Sequence, residues 1–118
     1  MLLEKHYLLN KNNSISEIFK KTLNKESLQI KKFKTLKTLK FIEFPKLGLE
    51  ELSKITKKIS KFGGGLLLID YGYLISRNKN TLQSVIKHKR NNLLENLGKA
   101  DITSLVNFSL LKEFFINK

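Results

Sequence analysis

Cysteine is absent from this chain of 118 residues, and proline occurs once, at Pro45. Disulfides and thiolate metal sites are thereby excluded, which fits an intracellular protein. No apolar run reaches membrane-spanning length, and Met1-Leu2-Leu3 meets Glu4, Lys5 and His6 before any stretch of signal length. The expectation is a soluble, cytoplasmic protein that does not engage a membrane. Arginine is scarce as well, with Arg77 and Arg90 standing among lysines that run from Lys5 to Lys118. The net charge of +13 would ordinarily suggest nucleic acid. Specific phosphate and base recognition favours the planar fork of arginine and a localised basic footprint, so the scattered lysines argue against a nucleic-acid partner. Phosphate-cradling loops, metal-ligand clusters and nucleophile elbows are missing too.

What is present centres on Gly63-Gly64-Gly65-Leu66-Leu67-Leu68-Ile69-Asp70-Tyr71-Gly72. Leu49, Leu52, Ile55, Ile59 and Phe62 fall on one stripe at helical spacing, with Glu50 and Glu51 expected in the first turn and Lys57, Lys58 and Lys61 in the last. Gly63 supplies a left-handed stop. Leu66 to Ile69 then reads as a parallel strand buried on both faces, the helix-to-strand half of an α/β unit. The glycines precede this strand, whereas phosphate-binding loops follow one.

The flanking segments read less sharply. Glu4 to Asn10 has strand character and Lys11 to Ser14 is turn chemistry. Ile15 to Leu23 could be the second strand of a hairpin, but the spacing of Ile15, Ile18, Phe19, Thr22 and Leu23 favours a helix capped by Ser14 with Glu17. Asn24 to Lys40 reads as irregular, with room for one short strand, and Lys40 to Phe44 as a short strand halted by Pro45. Gly72 to Gly98 is a long polar segment in which Thr81 to His88 could form a short helix. Asp101 to Ile116 reads as an amphipathic helix capped by Asp101 or Thr103. A parallel strand needs partners on both sides, and no second apolar run of that kind occurs.

The chemistry-bearing candidates lie after the strand. Asp70 could orient a substrate in the crevice where ligands gather at carboxyl ends of parallel strands, or could cap a local turn. Tyr71 could stack on a substrate or pack half-buried, and Gly72 marks a sharp turn. Thr81, Gln83 and His88 form a polar set. His88 could act as a base near neutral pH or lie on a solvated basic face with Lys87, Lys89 and Arg90. His6 reads as structural.

Taken in order, Gly-Gly-x-Leu-Leu-x-Ile-Asp-Tyr-Gly, then Thr81-Leu82-Gln83 with His88, then Gly98-x-x-Asp101-Ile102-Thr103 and Val106-Asn107-Phe108, the pattern resembles the MidA family. These are S-adenosylmethionine-dependent methyltransferases that include a protein arginine methyltransferase serving complex I assembly. The resemblance is strong from about Lys40 to Phe115, and over the amino-terminal segment it favours a hairpin. The family pattern usually has Asp where Asn107 stands, and commonly His where Leu105 stands.

The resemblance implies an α/β fold: residues 1–118 as a central to carboxyl-terminal fragment of a Rossmann-like class I methyltransferase sheet, with a hairpin or irregular region over 1–45 and helix-strand-loop-helix over 46–118. In the family the glycine-rich cofactor loop lies upstream of the matched region. The implied activity is methylation of a protein arginine side chain, with S-adenosylmethionine bound by the intact enzyme and not by this chain alone. Asp70, Tyr71 and Gly72 would line the crevice, and Thr81, Gln83, His88, Asp101 and Thr103 would shape the acceptor side. No residue is assigned a catalytic, cofactor-binding or metal role. The implied partners are a protein substrate and a separately encoded amino-terminal half. The alternative is a basic nucleic-acid-binding or partner-completing module.

Overall fold

The computed structural model describes residues 1–117. It is a mixed α/β structure with small sheets, in two compact units: Met1–Lys32 with Leu82–Thr103, and Phe33–Thr81 with the chain from Ser104 on.

In the first unit, β1 (Leu3–Leu9) pairs antiparallel with β2 (Ile15–Lys21), from Leu3 opposite Lys21 to Leu9 opposite Ile15. Asn13 takes a left-handed φ of 60° in the connecting turn, and the Asn10 amide bonds Ser14 Oγ at 2.9 Å and Ser16 Oγ at 2.7 Å. Ser14 is thus spent on the turn rather than on a helix cap. The ladder satisfies the backbone of Ile15 to Lys21, which resolves that segment as a strand. Lys5 and Glu17 form an ion pair across the hairpin at 3.2 Å.

Asn24–Lys31, expected irregular, is helix α1. Its Lys, Glu, Leu and Gln residues are good helix formers, and Glu26 in the first turn and Lys31 in the last complement the dipole. The helix expected at Thr81 to His88 is instead part of a three-stranded antiparallel sheet of order β5-β4-β6, made of β4 (Gln83–Ile86), β5 (Lys89–Asn91) and β6 (Asp101–Thr103). Val85 and Ile86 favour strand, and Lys87 and His88 form a two-residue turn with φ of 49° and 61°.

In the second unit, α2 (Lys46–Phe62) begins right after Pro45, whose carbonyl accepts from Leu49 N at 2.9 Å. Glu50 and Glu51 therefore lie beyond its first turn, while Lys61 remains in the last. Gly63 ends the helix at φ 78°, as its position predicts. The strand expected at Lys40 to Phe44 has no ladder partner among the described residues, and the N–H groups of Lys40 and Phe41 donate instead to Asn78 Oδ1 at 2.6 and 3.2 Å.

The carboxyl-terminal helix, α3 (Phe108–Ile116), starts seven residues later than expected from Asp101, because Asp101–Thr103 joins β4 and β7 (Val106–Asn107) pairs parallel with β3 (Gly72–Tyr73). Its cap is neither Asp101 nor Thr103 but Asn107, which accepts from Leu110 N at 3.1 Å. Leu36, Leu49 and Leu110 are the buried apolar side chains among the described residues. Leu36 sits on a single 3-10 turn, Lys34–Leu36, whose first amides are held by Glu113 of α3: Lys34 N donates at 2.6 Å, and Thr35 N and Oγ1 each donate at 2.9 Å.

Candidate functional site

After α2 the chain passes through Gly63, Gly64 and Gly65, where a Cβ would meet nothing within 4 Å. These glycines enclose no cradle. The Leu66 to Ile69 run that follows is extended but unpaired among the described residues. Its exposure alternates with period two: Leu66 41%, Leu67 81%, Leu68 40% and Ile69 85%. Leu66 and Leu68 line a groove of about 420 Å³ shared with Ile59 of α2 and with Phe108, Leu111 and Phe115 of α3. Leu67 and Ile69 face solvent. The expected burial on both faces is therefore not met: helices cover one side of the run, and no neighbouring strand covers its edges among the described residues.

At the carboxyl end of the run, Asp70 Oδ1 accepts from the N–H of Tyr71 at 2.7 Å, and both residues are exposed. Tyr71 contributes its carbonyl to Val106 N at 2.9 Å. Gly72 serves a close approach rather than a sharp turn. A Cβ there would lie 2.2 Å from the Val106 carbonyl oxygen and 2.6 Å from the Phe108 ring. Beyond it, the guanidinium of Arg77 stands 5.8 Å from the Tyr73 ring centre. Burial raises the Tyr73 hydroxyl pKa, the Glu43 charge adds to that, and Arg77 opposes it.

Two polar clusters tie this region together. Ser76 Oγ lies 2.7 Å from Ser109 Oγ and accepts from Asn107 Nδ2 at 3.0 Å, while Ser109 Oγ donates to Asn107 Oδ1 at 2.6 Å. Thr81 is nearly buried, at 8% exposure. Its N–H donates to Glu43 Oε1 at 2.8 Å, its hydroxyl donates to Glu43 Oε2 at 2.7 Å, and that hydroxyl accepts from Leu105 N at 3.0 Å.

In the other unit the register opposes Gln83 to Thr103, and Val85 to both Asp101 and Arg90. Side chains of opposed strand residues share a face, so Gln83, Thr103, Asp101 and Arg90 all belong to one face of the sheet, and all four are exposed. His88 is exposed in the turn between β4 and β5. Ser84 is buried on the opposite face, where its Oγ accepts from Asn91 Nδ2 at 3.0 Å. The predicted site residues thus fall into two groups, Asp70, Tyr71, Gly72 and Thr81 in one unit and Gln83, His88, Asp101 and Thr103 in the other.

Sequence reasoning assigned Glu43 no site role and marked Asn107 as a departure from the family pattern, not as a helix cap. Asn107 stands just ahead of an apolar-periodic stretch and belongs to a capping residue type, a signal that could have found it. The partner of Glu43 lies 38 positions away and leaves no local trace.

Within the second unit, an extended apolar run ending in Asp-Tyr-Gly, with an Asn-capped helix packed along it, suits a crevice at the end of a parallel strand. The chain matches, over residues 4–118, the model of a family described as "putative S-adenosyl-L-methionine-dependent methyltransferase", and it belongs to that family. Among characterised relatives it is similar to the protein named "Protein arginine methyltransferase NDUFAF7 homolog, mitochondrial" of Caenorhabditis elegans, with 42% identity over 60 residues, 51% of this chain and 14% of that protein. It is also similar to "Protein arginine methyltransferase NDUFAF7, mitochondrial" of Xenopus tropicalis, with 33% identity over 61 residues, 52% of this chain and 14% of that protein. The matched stretch is thus about one seventh of either relative's length.

Proposed function

We propose that this chain forms the acceptor-side portion of an S-adenosylmethionine-dependent protein methyltransferase whose target is an arginine side chain. On this reading Leu66 to Ile69 is an inner strand of a Rossmann-like sheet, and further polypeptide supplies its neighbours and the cofactor-binding glycine loop. One observation carries the reading: an apolar run in strand conformation, roofed by helices on one side and bare along its edges, leads straight into Asp70, Tyr71 and Gly72. Inner parallel strands have that composition because both their faces are covered in the finished sheet.

The residues present do not fit the cofactor by themselves. The open glycines Gly63 to Gly65 lie before the run rather than after it, and Gly72 is filled by its own chain. This chain's contribution is on the protein-substrate side. Asp101, Gln83 and Thr103 offer a carboxylate, an amide and a hydroxyl on one exposed face, donors and acceptors suited to orienting a side-chain nitrogen. Asp70 and Tyr71, in the other unit, are separate candidates at the strand end.

Calorimetric titration of S-adenosylmethionine tests the reading. The chain alone is expected to give no binding at micromolar concentrations, and a complex with polypeptide carrying the glycine loop is expected to bind and to methylate protein arginine. Micromolar binding by the chain alone would refute the division of roles.

A second reading draws on the exposed basic turn of Lys87, His88, Lys89 and Arg90, which suits an anionic partner such as nucleic acid. A gel shift that weakens steeply with salt would favour it, and no shift at low salt would remove it.

A further inference from the structure

We propose that Glu43 is a positioning residue for acceptor recognition: its carboxylate locks together the two stems between which residues 82–103 leave and rejoin the chain. This rests on the reading that residues 82–103 serve the acceptor side. Thr81 is the last residue before that excursion and Leu105 stands just after it. An ionised carboxylate only accepts and a backbone N–H only donates, so the direction of every bond is forced. Leu105 N–H donates to the Thr81 hydroxyl at 3.0 Å, and the hydroxyl donates to Glu43 at 2.7 Å. The Thr81 N–H occupies the other carboxylate oxygen at 2.8 Å, so both oxygens of Glu43 are engaged by one residue.

The same stems are tied a second time by the pairing of Gly72 with Val106 and Tyr73 with Asn107. That ladder is only two residues long. A ladder so short fixes the spacing of two strands but leaves their ends free to splay, and the Glu43 relay closes that freedom on the side from which the excursion departs. Bonds to an ionised acceptor in a nearly buried setting are stronger than the neutral pairs around them. Positioning of this kind governs how an acceptor is presented without touching the cofactor.

The test compares Glu43→Ala, Thr81→Val and the conservative Thr81→Ser. Amide hydrogen exchange on the chain is expected to speed up at Leu105 by about tenfold or more in Glu43→Ala and Thr81→Val, to stay near wild type in Thr81→Ser, and to be unchanged in α2. In the assembled enzyme the first two variants are expected to raise KM for the protein acceptor about tenfold, with S-adenosylmethionine affinity within about twofold of wild type. Unchanged exchange at Leu105 in Thr81→Val overturns the clamp. Parallel loss of acceptor and cofactor binding overturns the positioning role in favour of a general structural one. A wild-type assembly that transfers no methyl group sinks the enzymatic reading instead, and exchange at Leu105 then decides the clamp alone.

Discussion

Two stretches of this chain behave in opposite ways. Leu66 to Ile69 is the most apolar run and is unpaired among the described residues, with Leu67 and Ile69 more than four-fifths exposed. The polar stretch from Gln83 to Thr103 is woven into a three-stranded sheet. Hydrophobicity records what a segment is suited to bury, whereas pairing within the chain depends on turns that bring two strands into register. The polar stretch has those turns, at Lys87-His88 and through the loop held by Asn91. The Asn91 amide donates to the Glu95 carbonyl at 2.8 Å, and its oxygen accepts from Asn96 at 2.9 Å. The apolar run has glycines before it and a two-residue parallel bridge after it.

The contrast can be broken most forcefully at Gly72, whose missing side chain lets Val106 and Phe108 approach. Gly72→Val should cost about 4 kcal/mol or more in denaturant unfolding, since a 2.2 Å contact with a backbone oxygen has no flexible partner to yield. Equal stability of this variant would mean that the bridge between β3 and β7 is dispensable.

A gain is expected on the polar side. Lys87 and His88 both hold left-handed backbone that suits Asn-Gly, so the double change Lys87→Asn, His88→Gly should stabilise by about 1 kcal/mol in thermal or urea melts. A loss of stability would show that the two side chains make contacts worth more than their backbone strain.

Glu113 supplies a pH lever of similar size. Burial works to raise its carboxyl pKa, but the bonds from Thr35 N and Lys34 N and from the Thr35 hydroxyl outweigh it, so the group sits below the usual carboxylate range. A depressed folded pKa stabilises the fold above the unfolded value, and that contribution is lost as pH falls through the folded pKa. Wild type should therefore lose melting temperature on acidification below about pH 4.3, the ordinary glutamate value. Glu113→Gln should be about 1 kcal/mol less stable at neutral pH and flatter across that window. Parallel acid profiles for the two proteins would remove Glu113 from the account.

The smallest effect on stability sharpens the contrast most. Leu67→Asp with Ile69→Asp should change the chain's own stability by no more than about 0.5 kcal/mol, because both side chains are already in water. The same pair should abolish association with polypeptide that completes the sheet, read by calorimetry. Strong destabilisation of the isolated chain would show that the run is buried in solution after all.

Legibility followed the range of the interaction. The α2 stripe, its glycine stop and the turn at Lys11 to Ser14 are written within a few neighbouring residues, and the structure shows each. Ile15 to Leu23 could be read two ways because Ser14 and Glu17 imitate a capping box, and only the facing strand makes Ile15–Lys21 a strand. Thr81 to His88 was compatible with a short helix, yet Val85 and Ile86 and partners on both sides make Gln83–Ile86 the middle strand of a sheet. At the candidate site, the run and Asp70-Tyr71-Gly72 were visible in the sequence. The shared face of Gln83, Asp101 and Thr103 was not, because it arises from register between strands separated by the Asn91 loop.

By itself the amino-acid order determined the local matters: where α2 stops, which run is apolar enough to require cover, and the ordered motifs that mark a methyltransferase family. Tertiary structure alone decided that Gly72 admits Val106 and Phe108, that Asp101 to Thr103 joins a strand ladder instead of the last helix, and that Glu43 reaches Thr81. The division has a physical cause. A helix stop or an apolar run is a property of a few adjacent side chains, while a close backbone approach or a carboxylate on a distant amide exists only once the chain has folded back on itself.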